Sequence, residues 1–194
     1  MVHATDLASE FRVALDPDPR PQPGPEDRLA AVLALLVMDI EPALVFTVRA
    51  AGLSRHAGEI SFPGGLQDQG ETLQRTALRE THEEIGVDPS LPEVVGALGA
   101  MHTFVTGIVV APFVGMVDRL PPLTVSEAEI DEVVLLPVER LAVAERTVEY
   151  ERPGGGVWRG FAYDVDGHTV WGATGWMVHM LLQTIRRETT WTIP

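Results

Sequence analysis

The chain of 194 residues contains neither cysteine nor lysine. Without cysteine there are no disulfides, thiolate metal sites or cysteine nucleophiles. Without lysine there is no phosphate-loop lysine and no Schiff-base chemistry. All 14 basic side chains are arginines, and no G-x-S-x-G nucleophile elbow occurs. Long apolar runs are missing too. The longest, Leu29–Met38, spans ten residues, about half of the ~20 a membrane helix needs, so no membrane partner is expected. Met1–Leu15 mixes polar and apolar side chains and reads as a short helix rather than a secretion signal, which together with the missing cysteines suits a cytoplasmic protein. The net charge of −14 argues against a basic nucleic-acid surface, although divalent cations can still join an acidic site to an anionic substrate.

The length suits one globular domain. Asp16–Pro25 holds five prolines and reads as an extended linker, so residues 1–25 are expected to form a helix and a Pro-rich connector ahead of a main domain over 26–194. Leu29–Met38 and Ala43–Arg49, separated by Asp39-Ile40-Glu41-Pro42, suggest a hairpin. Ile60–Phe62 leads as a strand into Pro63-Gly64-Gly65. Thr72–Ile85 reads as a helix stopped by Gly86 and Pro89. Val94–Gly99, Val109–Val117, Glu132–Leu136 and Val157–Val165 are further strand candidates, and Thr174–Arg187 closes the chain as a helix. Gly154–Gly156 reads as a hairpin turn. This order predicts an α/β architecture around one sheet.

The informative stretch is Gly65–Val87. At about 100° per residue, Glu84 stands at about +40° and Glu83 at about −60° from Glu80, so three carboxylates share one helical face. Leu78, Thr81 and Ile85, at roughly 100–160°, are expected to form the buried stripe. Carboxylates so placed repel one another, and they lie near the helix C-terminus, where the dipole disfavours negative charge. Bound magnesium or manganese would remove that conflict, because hard divalent cations prefer carboxylate oxygens. A solvated acidic face is the blander alternative.

Spacing decides between them. The segment resembles the Nudix box, Gly-x5-Glu-x7-Arg-Glu-U-x-Glu-Glu-x-Gly-U, where U is a bulky aliphatic residue. Gly65, Glu71, Arg79, Glu80, Glu83, Glu84 and Gly86 fill all seven fixed positions, with Thr81 at the first U. At roughly 5–8% usage per residue type, a chance match is on the order of one in 10⁸ to 10⁹ per starting point. The resemblance implies a Nudix fold, a mixed β-sheet sandwiched between α-helices, and a metal-dependent hydrolase of diphosphates. It further implies that Glu80, Glu83 and Glu84, with the Gly64 carbonyl, hold Mg²⁺ or Mn²⁺, that Arg79 orients those carboxylates, and that Glu71 supports the network. The base is then Glu80 or a carboxylate on a later loop. Glu127-Ala-Glu129-Ile-Asp-Glu132 resembles the E-x-x-E found there in relatives, making Glu129 and Glu132 catalytic candidates; a solvated turn is the alternative.

Upstream, Val45–Gly65 resembles a second signature, LLTxR(S/A)x3Rx3Gx3FPGG, of the subgroup that cleaves coenzyme A. Thr47, Arg49, Ala50, Gly58 and Phe62–Gly65 are in register, while Ser54 occupies the second arginine position and Arg55 follows it. The resemblance implies coenzyme A or a related diphosphate as small-molecule substrate, cleaved to 3′,5′-ADP and 4′-phosphopantetheine. Arg49, Arg55, His56, Gly58 and Phe62 are then the substrate-binding candidates, with the arginine forks and His56 suited to the 3′-phosphate. ADP-ribose or a dinucleoside diphosphate is the alternative substrate, and a catalytically silent binding protein the alternative of another class. Other features read as structure. His82-Glu83 lacks the second histidine of H-E-x-x-H, His179 reads as a packing or rim residue, and His102 carries no assignment. The four tryptophans and the apolar C-terminal helix fit a core or a homodimer interface equally.

Overall fold

Leu29–Met38 is apolar at every position because it becomes the middle of a sheet covered on both faces. The computed structural model describes residues 4–50, 58–103, 107–151 and 156–194, with side chains from Asp6 onward. In it α1 (Ala4–Ala14) precedes β1 (Arg28–Val37), β2 (Ala43–Arg49), β3 (Ile60–Ser61), β4 (Gly64–Leu66), α2 (Leu73–Ile85) and β5 (Glu93–Ala97). Then follow β6 (Met101–Thr103), β7 (Ile108–Val117), β8 (Ile130–Pro137), α3 (Val138–Ala144), β9 (Arg146–Glu151), β10 (Val157–Val165), β11 (His168–Val170) and α4 (Gly172–Glu188). The fold is a mixed sheet with helices on both faces.

Alternation along β1 divides the interior. Ala31, Leu33, Leu35 and Val37 meet Leu73, Ala77 and Ile85 of α2. Ala30, Ala34 and Leu36 join Leu7 and Phe11 of α1 and Val178, Leu181 and Ile185 of α4. The N-terminal helix is therefore part of the main core, and Asp16 behind it forms a bridge with Ala97. Beyond Asp16, the proline-rich stretch carries no helix or strand up to Arg28.

The expected hairpin forms, but its strands pair only beside the turn, through Leu36↔Leu44 and Val37↔Ala43. Further along they diverge, and the segment 60–66 fills the gap. β3 pairs β2 at Thr47↔Ser61 and Val48↔Ile60, while β4 pairs β1 at Ala30↔Leu66, Ala31↔Gly65 and Val32↔Gly64. β7 runs parallel to β1 along its other edge, and β8 runs antiparallel to β2. The Gly64-Gly65 loop is thus held inside the split sheet, facing α2.

Two expectations need correction. Among the described residues the strands do not form one sheet: eight make the main sheet, and β9, β10 and β11 make a separate three-stranded one. The buried face of α2 is also wider than Leu78, Thr81 and Ile85. It comprises Leu73, Thr76, Ala77, Thr81, Glu84 and Ile85, with Leu78 only half-buried. Ala77 and Leu73 lie at about 60° and 20° from Glu80, so the covered sector sweeps across Glu84. The expected Gly154–Gly156 turn falls largely outside the described residues; the strands on either side pair antiparallel, with Glu151 opposite Val157.

Candidate active site

α2 starts and stops as its sequence dictates. Thr72 caps the N-terminus by accepting the Arg75 N–H. At the other end Gly86 adopts φ 77°, the left-handed conformation that favours glycine at a helix end. The backbone of Thr124 packs directly against Gly86. Thr124 N–H then donates to Ile85 O at 3.1 Å, and Ser126 N–H to Glu84 O at 2.9 Å. These bonds satisfy helix-end carbonyls, and they clip the acidic loop to the end of the carboxylate helix.

Arg79 is the organiser of the helix face. Its Nε donates to Glu71 Oε1 at 3.1 Å and its Nη2 to Glu71 Oε2 at 3.1 Å, a two-pronged pair. Nη1 donates to Glu80 Oε1 at 2.8 Å and to Glu83 Oε2 at 3.0 Å. The Arg79 hydrogen bond, aided by Thr76, holds the Glu71 carboxyl below its ordinary value despite burial, and the same carboxylates raise the Arg79 guanidinium well above its own.

Glu84 differs from its neighbours. It is only 3% exposed and accepts the Gly64 N–H at 3.2 Å. Burial pushes its carboxyl up to about 7; the Gly64 bond and the charge of Arg49 oppose the rise, while Glu80 and Glu129 add to it. Burial raises Glu80 as well, against its bond to Arg79 and with help from Glu83 and Glu129. Glu129, exposed on the clipped loop, therefore stands within electrostatic reach of both box carboxylates. Thr76 and Gln67 also belong to this network, although the spacing of motif residues does not mark them. Thr76 Oγ1 donates to Glu71 Oε2 at 2.8 Å, and Gln67 Nε2 to Glu71 O at 2.6 Å.

The other expected residues divide. Alternation along β2 puts Arg49 on the face of Thr47 and of Val45, which packs in the α2 cluster, in agreement with its effect on Glu84. Glu132 lies elsewhere. The regular β2–β8 register, unbroken from Ala43↔Pro137 to this pair, puts it opposite Val48, whose side chain packs toward the α1/α4 cluster, so Glu132 is not gathered with Glu80 and Glu84. Phe62, expected at the substrate, is 1% exposed and stacks on Phe46 with ring centroids 4.8 Å apart. Gly58, at φ 73°, closes the β2–β3 connection by donating its N–H to Arg49 O at 2.9 Å. Arg55 and His56 lie outside the described residues. His179, read as a packing residue, stacks on Phe161 at 3.5 Å between centroids.

Among the described residues no three His, Asp or Glu side chains already converge as a cation cage; the Arg79 fork holds one oxygen each of Glu80 and Glu83. The donor chemistry nevertheless suits a hard divalent ion. Its members are carboxylate oxygens, and Glu84 is a buried carboxylate whose charge is opposed by burial, Glu80 and Glu129.

A family model described as NUDIX domain matches residues 27–154. A Photorhabdus laumondii protein named "Uncharacterized Nudix hydrolase NudL" is 31% identical over 188 residues, covering 96% of this chain and 100% of its own length. The protein of that name from Escherichia coli O7:K1 is 38% identical over 137 residues, covering 69% of this chain and 68% of its own length. Among solved structures, a MutT/nudix family protein from Enterococcus faecalis superposes with a TM-score of 0.55 at 13% identity, covering 96% of this chain and 74% of that one. That likeness bears on the fold alone.

Proposed function

The chain belongs to the Nudix hydrolase family, and from that premise we propose that it hydrolyses the diphosphate of coenzyme A, or of an acyl or oxidised form, to 3′,5′-ADP and 4′-phosphopantetheine with Mg²⁺ or Mn²⁺. The observation that carries the catalytic half is the Arg79 fork, which gathers Glu80 and Glu83 beside the buried Glu84. The coenzyme A half rests on the register of Thr47, Arg49, Ala50, Gly58 and Phe62–Gly65.

Glu80, Glu83 and Glu84 would hold the ion, with the Gly64 carbonyl as a further oxygen. When bound, a divalent cation neutralises diphosphate oxygens and acidifies water at the site. The chain's own groups do the rest. Arg79 fixes the rotamers of Glu80 and Glu83. The arginine at position 49 supplies positive charge near Glu84, where an anionic substrate needs it. Because Glu80 is engaged by Arg79 while Glu129 is exposed and faces the same carboxylates, Glu129 is the group we assign to take the proton from the attacking water.

The test is product chromatography after incubating the protein and magnesium with coenzyme A, dephospho-coenzyme A, ADP-ribose or a nucleoside triphosphate. Preferred conversion of coenzyme A to the two named products supports the reading. Faster cleavage of ADP-ribose would reassign the substrate and keep the hydrolase; no cleavage of any of the four would favour a silent binding protein.

A further inference from the structure

Thr76 is wholly buried in α2, at a variable position of the box. A threonine inside a helix ordinarily turns its hydroxyl back to the carbonyl four residues earlier. Thr81, equally helical and buried, does so, donating to Ala77 O at 2.7 Å. Thr76 behaves differently. Its Oγ1 reaches Thr72 O at 3.2 Å but makes the shorter bond, 2.8 Å, to Glu71 Oε2. That oxygen also accepts from Arg79 Nη2 at 3.1 Å and from the Asp68 N–H at 3.4 Å.

We infer that Thr76 is a positioning residue for the carboxylate site, acting through Glu71 and Arg79. This rests on the metal-site reading above and extends it three residues inward. The connection is continuous: the Thr76 hydroxyl fixes Glu71, Glu71 grips two nitrogens of Arg79, and the third nitrogen of Arg79 holds Glu80 and Glu83. Without the hydroxyl, Glu71 loses a buried donor and gains rotational freedom, and the grip on Arg79 loosens. Both consequences weaken cation binding. Glu80 and Glu83 become less well oriented, and Arg79, no longer shared evenly with Glu71, competes harder for their oxygens. Outer partners of this kind govern metal affinity by orienting the groups that touch the ion.

The experiment measures Mn²⁺ dissociation constants by electron paramagnetic resonance for the wild type, Thr76→Val, Thr76→Ser and Thr81→Val. Circular dichroism and thermal midpoints accompany each to verify folding. Valine keeps the shape and branching of threonine without its hydroxyl, and serine keeps the hydroxyl. The expected result is affinity weakened about 3- to 10-fold in Thr76→Val, below the full effect of removing a direct partner of a ligand, with Thr76→Ser and Thr81→Val within about twofold of wild type. In kinetics, the kcat/KM lost by Thr76→Val should recover as Mn²⁺ is raised. Wild-type Mn²⁺ affinity in a folded Thr76→Val, or an equal loss in Thr76→Ser, overturns the inference while leaving the metal site standing. A wild type that binds no Mn²⁺ overturns the metal site and this inference together.

Discussion

The Glu80 carboxylate lies against the backbone of Gly65 so closely that a Cβ at Gly65 would overlap its Cδ and both oxygens. The box glycine therefore does more than permit a turn: it leaves the space in which Glu80 rests between the loop and Arg79. Gly65→Ala should force the carboxylate aside. Because the atoms struck are the far end of a flexible side chain, the fold should survive, with a thermal midpoint near that of wild type. A displacement of about 1 Å at a catalytic group costs on the order of 100-fold in rate, so kcat/KM should fall by about that factor. Undiminished turnover would remove Glu80 from the active site.

Glu84 allows a test in which two effects have opposite sign. Its buried negative charge is costly in the absence of a cation, since burial disfavours ionisation and Glu80 and Glu129 add to that. Glu84→Gln keeps the shape, and its amide oxygen can still accept the Gly64 N–H. In chelator at pH 8 the variant should be more stable than wild type, by on the order of 2 kcal/mol. Magnesium should raise the thermal midpoint of wild type and leave that of the variant nearly unchanged, and turnover should be lost. Equal turnover under saturating magnesium would dismiss Glu84 from the metal site.

That inversion shows what was legible in the sequence and what was not. Helix bounds were readable because Thr72 and Gly86 are local signals, and the three carboxylates were readable because their spacing fixes their angles. The burial of Glu84 was not. The stripe drawn from Leu78, Thr81 and Ile85 passed over Ala77, too small to announce a buried face, although with Leu73 it brackets Glu84. The burial of Phe62 against Phe46 was not legible either, because a family signature does not separate core residues from exposed ones. Glu132 could not be placed without the β2–β8 register that sets it opposite Val48. The second sheet went unseen because β11 has three residues, too few for a periodic signal, and β9 is mostly exposed and rich in charge.

Glu71 couples the site to stability in acid. Its carboxyl lies below the ordinary value of 4.5, chiefly through the Arg79 hydrogen bond. A group with a depressed folded-state pKa binds protons more readily unfolded, so its contribution is complete above about 4.5 and disappears as pH falls through the lowered value. Glu71→Gln should therefore be destabilised at pH 7, by about 2–4 kcal/mol because the pair is largely buried. The gap between wild type and variant in chelator-containing buffer should close as pH is lowered from 5 toward 3. A gap independent of pH would mean that Glu71 acts through shape rather than charge.

Arg49 offers the sharpest test of how substrate is held. The upstream signature suggested the 3′-phosphate as its partner, a group found on coenzyme A and missing from dephospho-coenzyme A. Its place on the sheet favours a different contact under the proposed function. Arg49 projects from β2 on the face of α2, and its charge lowers the pKa of Glu84, which puts it beside the carboxylates that the diphosphate must approach. If the proposed substrates hold, a guanidinium there would serve the diphosphate common to both. Arg49→Ala should accordingly reduce kcat/KM for coenzyme A and dephospho-coenzyme A by the same factor, about 10- to 100-fold for a lost charged hydrogen bond of roughly 1.5–3 kcal/mol. Parallel kinetics on the two substrates decide the matter. A loss confined to coenzyme A would return Arg49 to the 3′-phosphate; equal losses would leave that phosphate to other side chains, with Arg55 and His56 the next to substitute.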